Sequence, residues 1–411
     1  MAGVYDVIVV GGGPGGSSCA SLLGMKGVRV LLVDKASFPR DKTCGDAVSG
    51  KSATVLRELG LIHEVEKLRN APVLGTTFSS PEGVIVEVPF PLNKEGKPQG
   101  YVCRRMDYDN MLFTNARKVL GEKNVWERFM VTDVLKDEKG FVTGVTGTDL
   151  KTGRQKEVRA KIVVGADGAT SVVASKLGLG KLDPRHHCVA LRGYYQGITG
   201  MKNNIEIHFV EEVIPGYFWI FPLDDGYANV GVGMLTSDVN ARKTNLKQAM
   251  LDVIEKSPLF APRFKNAKLV GEIKGWNLPF GSHHRRAHGD GFVLLGDAAS
   301  LIDPFSGEGV GNAMTSASYA VPVIEKALKS GDYSAKALKE YEDKLWDRVA
   351  GELSNSYKLQ KLGKNRWLLN WVIRRASRKP RIREALSAML SNNEEKKQLS
   401  SPWFYLRMLF M

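Results

Sequence analysis

The chain has 411 residues, 43% hydrophobic and 25% charged, which is the composition of a globular protein large enough for more than one domain. No apolar run approaches the ~18–20 residues of a membrane span, and the N-terminal MAGVYDVIVV lacks the features of a signal peptide, so we expect a cytoplasmic protein. The net charge of +14 is compatible with an anionic membrane or a phosphorylated substrate, but no nucleic-acid-binding module accompanies it, so we expect no nucleic-acid partner.

A nucleotide-binding unit is predicted at the N-terminus. The run YDVIVV (5–10) is typical of a buried parallel strand, and GGGPGG after it contains Gly11, Gly13 and Gly16 at G-x-G-x-x-G spacing, followed by a predicted helix. Such glycines bring backbone N–H groups close to a pyrophosphate at the helix N-terminus. Asp34 ends the next strand, where a carboxylate can bind ribose hydroxyls. We predict a dinucleotide site; a tight turn without a ligand is the alternative.

The polar stretch RDKTCGDAVSG (40–50) places Cys44 next to Gly45, shortly after this unit. Two interpretations stay open for the cysteine. It is either a small polarizable residue packed in a tight loop, or a thiol held beside a reactive group.

Two later strand ends carry similar chemistry. Residues 160–178 form a predicted strand that ends at Asp167, and residues 291–314 form another that ends at Asp297 and continues through a Pro304 turn into a glycine-rich helix start. A flat, acceptor-rich ring system with a ribityl chain needs carboxylates and free N–H groups spread along its length. Each corner alone is ordinary, but three in this order favour a flavin.

The motifs GGGPGG, GADG and GDAASLIDPFSGEGVGNAM resemble the flavoprotein hydroxylase superfamily, which binds FAD through them. RRMDYD looks like that family's R-x-x-x-D helix start, with Arg105 and Asp109 in place. Cys44-Gly45-Asp46-Ala47 together with GYFWIFPLDDGYANVGVGM (216–234) is similar to the geranylgeranyl reductase branch, whose members saturate isoprenoid double bonds. The resemblance covers roughly residues 5–335.

The resemblance implies where FAD lies. Cys44 and its neighbours line the flavin, Gly15 and Asp34 bind the adenosine end, Asp297 reaches the ribityl–pyrophosphate region, and Gly309 and Val310 lie under the pyrimidine side. The predicted FAD-binding residues are Gly11, Gly13, Gly15, Gly16, Asp34, Lys35, Cys44, Gly45, Ala47, Arg105, Val131, Asp167, Gly168, Asp297, Pro304, Gly309 and Val310. Asp34 replaces the commoner Glu, and Ala47 stands where a Gly is often found; neither departure excludes FAD.

The activity implied is saturation of an isoprenoid double bond by hydride from reduced FAD, with a proton from a side chain or a trapped water. Cys44 is the predicted catalytic residue. We expect an aromatic wall formed by Tyr217, Phe218, Trp219 and Phe221, of which Tyr217, Trp219 and Phe221 bind the substrate. The alternative is that these aromatic residues belong to the core.

The expected electron donor is NAD(P)H or a ferredoxin-like carrier. A monooxygenase or halogenase of the same superfamily is the alternative activity, and a non-redox role for FAD is a third.

The predicted fold is α/β, with a Rossmann-like FAD-binding domain around a central parallel sheet, a second, mostly antiparallel-sheet substrate domain, and a helical C-terminal segment. These parts are assigned to residues 1–75, 101–183 and 272–335 (FAD), 76–100 and 184–271 (substrate), and 336–411 (C-terminal segment).

The C-terminal segment is basic. Residues 361–383 hold nine Lys/Arg and no Asp or Glu around WLLNWVI, and the chain ends in WFYLRMLFM. This pattern suits a helix in a lipid headgroup region, so residues 361–411 are a candidate peripheral membrane contact; a helix packed on its own domain is the alternative. The sequence carries no signal for an oligomeric state.

Metal and disulfide chemistry is not expected. The four cysteines form no CxxC pair, and the histidine pairs at 186–187 and 283–284 have no carboxylate or cysteine at zinc-like spacing. Adjacent residues on a strand also point to opposite faces.

Overall fold

The computed structural model describes residues 5–93 and 95–391. In chain order the strands are β1 (Tyr5–Val10), β2 (Val30–Val33), β3 (Ala47–Val48), β4 (Asn70–Val73), β5 (Gly75–Ser79), β6 (Ile85–Pro89), β7 (Gly100–Cys103), β8 (Val125–Trp126), β9 (Phe129–Lys136), β10 (Val142–Asp149), β11 (Gln155–Gly165), β12 (His187–Gln196), β13 (Asn204–His208), β14 (Tyr217–Pro222), β15 (Tyr227–Leu235), β16 (Lys268–Pro279), β17 (His288–Gly289) and β18 (Phe292–Leu294). The α-helices are α1 (Pro14–Met25), α2 (Ser52–Glu58), α3 (Glu64–Lys67), α4 (Arg105–Leu120), α5 (Val172–Lys176), α6 (Thr236–Arg242), α7 (Leu246–Lys256), α8 (Ala261–Phe264), α9 (Val310–Ser330), α10 (Ala335–Leu362), α11 (Arg366–Arg378) and α12 (Pro380–Ser391).

The first sheet brings the predicted strand ends together. Its order is β17-β18-β11-β1-β2-β8, and β1, β2, β8, β11 and β18 run parallel, as predicted for the central sheet. Strands β9 and β10 extend β11 as an antiparallel hairpin. Because parallel strands end at the same edge, the residues that follow them meet there. That edge therefore collects Gly11, Asp34, Asp167 and Asp297.

The second sheet lies over this edge and has the order β16-β12-β15-β14-β13-β5-β6. Its neighbours are antiparallel except for β13 and β5, so the predicted mostly antiparallel sheet is confirmed. One face packs on α7 and α8 through buried residues such as Met250, Phe260 and Phe218. A small third sheet, β3-β7-β4, carries the residues just after Cys44.

Long helices cover the first sheet. Helix α1 packs on α4 and α9, and α10 packs on α9, around a core that includes Leu23, Phe113 and Leu345. Helix α10 begins at Ala335, close to the predicted start at 336, and Ser334 caps it by accepting a hydrogen bond from the Ala337 N–H. None of the helices within residues 5–93 and 95–391 combines the length and the apolar character that a membrane crossing requires.

The basic stretch after α10 forms two helices, α11 and α12. Their buried face, with Ile373, Ala376 and Ile382, packs on Val86 and Val88 of β6. One face of the segment therefore packs on the rest of the chain, as the second sequence interpretation expects, while its charges stay on the outside. The predicted WFYLRMLFM contact at 403–411 lies outside the described residues.

The assignment of sequence ranges to domains stays a prediction. Its boundary at 75/76 falls at the start of β5, and the one at 271/272 falls inside β16, which pairs with β12 of the second sheet.

Candidate active site

A cavity of about 1580 Å³ separates the edge of the first sheet from the inner face of the second. Pockets for a single drug-sized ligand are usually ~300–1,000 Å³, so this space has room for a dinucleotide and a second ligand. Apart from Gly16, every residue predicted to bind the cofactor or the substrate lines it.

The glycine loop between β1 and α1 has the shape of a phosphate-binding turn. Gly11 has φ +104°, and a Cβ there would lie 2.4 Å from the Ala166 carbonyl oxygen; a Cβ on Gly16 would lie 1.8 Å from the Gly11 oxygen. Gly16 therefore packs beneath the loop instead of lining the cavity. Gly13 precedes α1, whose N-terminus has no side-chain cap, so its first N–H groups and dipole are free to bind an anion.

Two guanidinium groups share the Asp109 carboxylate, and that of Arg40 lies beside this loop. Arg105 donates from Nε and Nη2 to the Asp109 carboxylate at 2.6 and 2.8 Å, and Arg40 Nη1 lies 3.0 Å from the same carboxylate. Arg40 Nη2 would be 3.6 Å from a Cβ on Gly13. This pair suits the two charges of a pyrophosphate. Arg40 was not predicted; the basic residues before Cys44 were the available signal.

The strand-end carboxylates have different partners. Asp34 accepts hydrogen bonds from the N–H groups of Gly12 (2.7 Å) and Ala36 (2.8 Å), which fixes it at the predicted ribose position. Asp167 accepts from the Val172 N–H at 2.7 Å, so it also holds the start of α5. Burial raises the pKa of Asp297, although Lys42 and Arg105 oppose the shift.

The other predicted cofactor residues lie along the same cavity. Lys35 follows Asp34, Val131 belongs to β9, Gly168 follows Asp167, and Pro304 precedes the turn into α9, where Gly309 is the N-cap and Val310 the first residue.

Hydrogen bonds tie the Cys44 loop to the second sheet. Asp46 is buried with φ +64°, and its carboxylate accepts from Tyr194 Oη and Asn229 Nδ2, each at 2.8 Å. Asn229 also donates to the Cys44 carbonyl oxygen (2.7 Å) and accepts from Trp219 Nε1 (2.9 Å). Burial raises the pKa of Asp46. Of the four cysteines, all within the described residues, Cys44 alone is not buried.

Strand β14 supplies an aromatic wall to the cavity. Tyr217, Trp219 and Phe221 line it, with neighbouring ring centroids 6.0 and 6.2 Å apart. The prediction that Phe218 joins them is wrong: side chains alternate along a strand, and Phe218 packs on Phe260 across the sheet. Gly45 lets the aromatic wall lie close to the Cys44 loop, because a Cβ on Gly45 would lie 3.0 Å from the Phe221 ring.

The residues present fit FAD: an uncapped helix start behind a glycine turn, a carboxylate at the next strand end, two guanidiniums and an elongated cavity. A family model described as an FAD binding domain matches residues 4–354.

Named relatives point to one branch. Digeranylgeranylglycerophospholipid reductase of Methanosarcina acetivorans is 33% identical over 85% of this chain and 82% of its own. A geranylgeranyl bacteriochlorophyll reductase-like protein of Thermoplasma acidophilum superposes with TM-score 0.82 at 25% identity, over 96% of this chain and 98% of that one. A myxobacterial FAD-dependent halogenase, chondrochloren halogenase, gives TM-score 0.74 at 25% identity over 98% and 92%. A family match over most of the chain and a relative above 30% identity establish that this chain belongs to the FAD-dependent oxidoreductases, in the geranylgeranyl reductase family.

Proposed function

We propose that the chain saturates carbon–carbon double bonds of an isoprenoid lipid or prenyl diphosphate. The observation that carries the proposal is one continuous cavity, in which the glycine loop and strand-end carboxylates lead past the Cys44 loop to the aromatic wall. Beyond that wall the lining becomes aliphatic and aromatic, with Phe78, Ile205, Ile207 and Phe209. The names of the reductase relatives support the same substrate class.

When bound, FAD supplies a hydride, which carries two electrons, to one alkene carbon. The other carbon needs a proton, and we assign the protein's part to Cys44 or a water held beside it. An isolated alkene has no carbonyl to polarise, so much of the rate has to come from orientation. Trp219 and Phe221, each less than 9% exposed, would grip the prenyl chain and exclude bulk water.

The role of Cys44 is tested by replacing it. We expect Cys44→Ala to retain bound FAD and to lose at least tenfold in alkene reduction, about 1.4 kcal/mol of transition-state stabilisation. Cys44→Ser, which restores a proton-bearing group, should recover part of the rate with an altered pH profile. A Cys44→Ala enzyme with full activity would leave the loop with a packing role only.

We propose that the electron donor is NAD(P)H or a ferredoxin-like carrier. Anaerobic stopped-flow mixing of the oxidised enzyme with NADPH, NADH or reduced ferredoxin, in parallel, identifies the donor by the rate at which flavin absorbance bleaches.

We further propose peripheral membrane contact in the cytoplasm through α11 and α12. Trp367 is 70% exposed and stacks on Trp371, while Arg374 and Arg366 pair with Glu82 and Glu211 and hold α11 on the protein. Basic residues around an exposed tryptophan suit a lipid interface. Gln360 and Gly363, at the end of α10, line the cavity, which would place this surface near the route of a lipid substrate.

The product of one incubation tests the activity. Chemically reduced enzyme is incubated with a geranylgeranyl phospholipid or diphosphate, first without air and then with air. The molecular mass of the product is measured by mass spectrometry. We expect a gain of hydrogen pairs without air. Oxygen in the product only with air, or a halogenated product when halide is added, would instead support the monooxygenase or halogenase activity, which the fold of the halogenase relative also accommodates.

A further inference from the structure

The inner face of the second sheet changes chemistry from one edge to the other. At the β16 edge it presents Lys274 and Trp276, and on neighbouring β12 it presents Arg192. The centre is the aromatic wall of β14. At the β13–β5 end the lining residues are apolar, including Ile207 and Phe78. The inner face is therefore cationic at one end and apolar at the other, which matches the charged head and apolar tail of an amphiphile.

The cationic end has more positive than negative charge. Arg192 is 2% exposed and its Nη2 donates to Asp41 at 2.6 Å, while Lys274 Nζ donates to the other Asp41 oxygen at 3.2 Å. Lys42, on the loop facing the sheet, holds its ammonium 3.8 Å from the Trp276 ring centroid. Arg192 and Lys274 share the Asp41 carboxylate, whereas Lys42 donates to the Thr43 carbonyl oxygen at 3.2 Å. All of these residues line the cavity. We call Lys42, Arg192 and Lys274 the basic cluster.

Other charged groups also face Lys42. Asp297 attracts it, whereas Arg40 and Arg105 repel it. Arg40 and Arg105 both pair with Asp109, and Arg40 lies beside the glycine loop, where the pyrophosphate of FAD is predicted. Burial, together with the repulsion by Arg105, lowers the pKa of Lys42 to about 8, so an added anion would favour its charged form.

Two buried donors in the same wall lack acceptors. Among the residues that the structure describes, Arg192 Nε and Trp276 Nε1 make no hydrogen bond. Buried donors are nearly always paired, and each unpaired one disfavours the fold. An anionic ligand in the cavity would provide acceptor oxygens to this wall.

We propose that the basic cluster binds the phosphoryl headgroup of the substrate, with the prenyl chain extending along the sheet past Trp219 toward Ile207 and Phe78. This inference rests on the proposed function and deepens it, because it fixes the direction in which an amphiphilic substrate lies. The same phosphate chemistry could come from a dinucleotide electron donor, so the test includes both sources.

The test measures binding, which needs no turnover. Geranylgeranyl diphosphate, geranylgeraniol and NADPH are titrated into the FAD-loaded enzyme and followed by protein fluorescence and flavin absorbance. We expect the diphosphate to bind at least tenfold tighter than the alcohol. Lys274→Met and the double variant with Lys42→Met should weaken the diphosphate about tenfold or more while leaving the alcohol unchanged. Lys268→Met, exposed on β16 and outside the cavity, is the matched control.

Each outcome of these titrations either supports or overturns the assignment of the basic cluster to the substrate headgroup. Equal affinity for diphosphate and alcohol, undetectable binding of both, or equal losses in the Lys268→Met control, would overturn the assignment. Selective weakening of NADPH would assign the cluster to the donor and also overturn it. If the double variant fails to fold or to hold FAD, Lys274→Met alone decides, because its side chain is exposed. Selective loss of diphosphate affinity without alkene reduction by any form would support the headgroup site and reject the proposed function.

Discussion

At the scale of single residues, the glycines of the loop between β1 and α1 have two different roles. Some are required by the fold, and one leaves room for a ligand. Gly11 and Gly16 are needed by the fold, because a Cβ on either would meet backbone oxygen atoms at 2.4 or 1.8 Å. Gly13 is different: a Cβ there would meet only the end of the Arg40 side chain at 3.6 Å. Its lack of a side chain therefore matters chiefly to whatever occupies the cavity.

We predict that Gly13→Ala folds normally and binds FAD at least tenfold more weakly, about 1.4 kcal/mol, because the methyl group would stand between the helix N-terminus and the pyrophosphate. Fluorescence titration of FAD into the apoprotein measures the affinity, and thermal unfolding measures the stability. Gly351→Ala, in α10 with no atom within 4 Å of the added Cβ, is the control and should leave FAD affinity unchanged. Unaltered FAD affinity in Gly13→Ala would contradict this placement of the cofactor.

The predicted site residues share one property: apart from Val131, which only the resemblance implies, each belongs to a local motif. Gly11 to Asp34 is a strand, a turn, a helix and a strand, whose geometry follows from nearby sequence. Asn229 and Arg192 were not predicted as site residues, because their roles depend on partners that are distant in the sequence. Asn229 contacts the Cys44 loop 185 positions away, and Arg192 pairs with Asp41 151 positions away. Composition and spacing carry no signal for such pairs.

At the scale of elements, β14 explains why only part of the aromatic run reaches the cavity. Its two-residue period assigns Trp219 to the cavity and Phe218 to the layer of α7 and α8. The sequence predicts the strand, whereas which alternate face is turned inward depends on the helices that pack against it. Asn229 of β15 then fixes the Cys44 loop to the chosen face through Trp219.

A buried polar cluster joins β13 to β5 and α8. His208 Nδ1 lies 2.9 Å from Ser79 Oγ, its Nε2 lies 3.0 Å from Glu206, and Arg263 binds Glu206 with both terminal nitrogens. The set has the composition of a hydrolase triad, but Ser79 and His208 are each 1% exposed and do not line the cavity. Its role is therefore structural.

This cluster makes stability depend on pH. Burial lowers the pKa of His208 below its usual 6.5, and the bonds from Arg263 and His208 outweigh burial and lower that of Glu206 below 4.5. Both groups bind a proton more readily in the unfolded chain, so the free energy of unfolding falls as pH falls below about 6.5, by at most about 1.4 kcal/mol per pH unit for one proton.

We predict that His208→Gln reduces this slope between pH 6.5 and 5.5, measured by urea unfolding at several pH values. Some slope remains, because burial also lowers the pKa of His186. Replacement of the exposed His63 by Gln is the control for the loss of one histidine. An unchanged slope in His208→Gln would contradict a lowered pKa for His208 in the folded protein.

At the scale of the whole molecule, the two sheets make the site by facing each other. The carboxyl edge of the first sheet follows from the rule that parallel strands end together, which is why the fold and the cofactor edge are predictable. How the second sheet lies over that edge is not encoded in any local motif. It depends on distant contacts such as those of Asp46 with Tyr194 and Asn229. The cavity, and with it the cationic end, exists only after this assembly.

The distribution of charge gives the last prediction. The outward side of α11 and α12 carries Trp367, Arg378 and Arg381, all exposed, while the opposite side is buried on β6. A basic residue near an anionic membrane contributes about 1 kcal/mol, roughly fivefold in affinity. We predict that Trp367→Ala with Arg378→Gln and Arg381→Gln lowers binding to anionic phospholipid vesicles by at least twentyfold, and that the wild-type binding weakens with salt.

Vesicle co-sedimentation measures this binding, with FAD content and unfolding temperature as checks that the variant is folded. The control replaces Lys118 and Lys123 by Gln, removing the same charge near the end of α4, and should bind as the wild type does. Equal losses in both variants would show that only net charge matters. Binding retained by the α11–α12 variant would assign membrane contact to another surface, and the lipid substrate would then have to reach the cavity from a side other than Gln360 and Gly363.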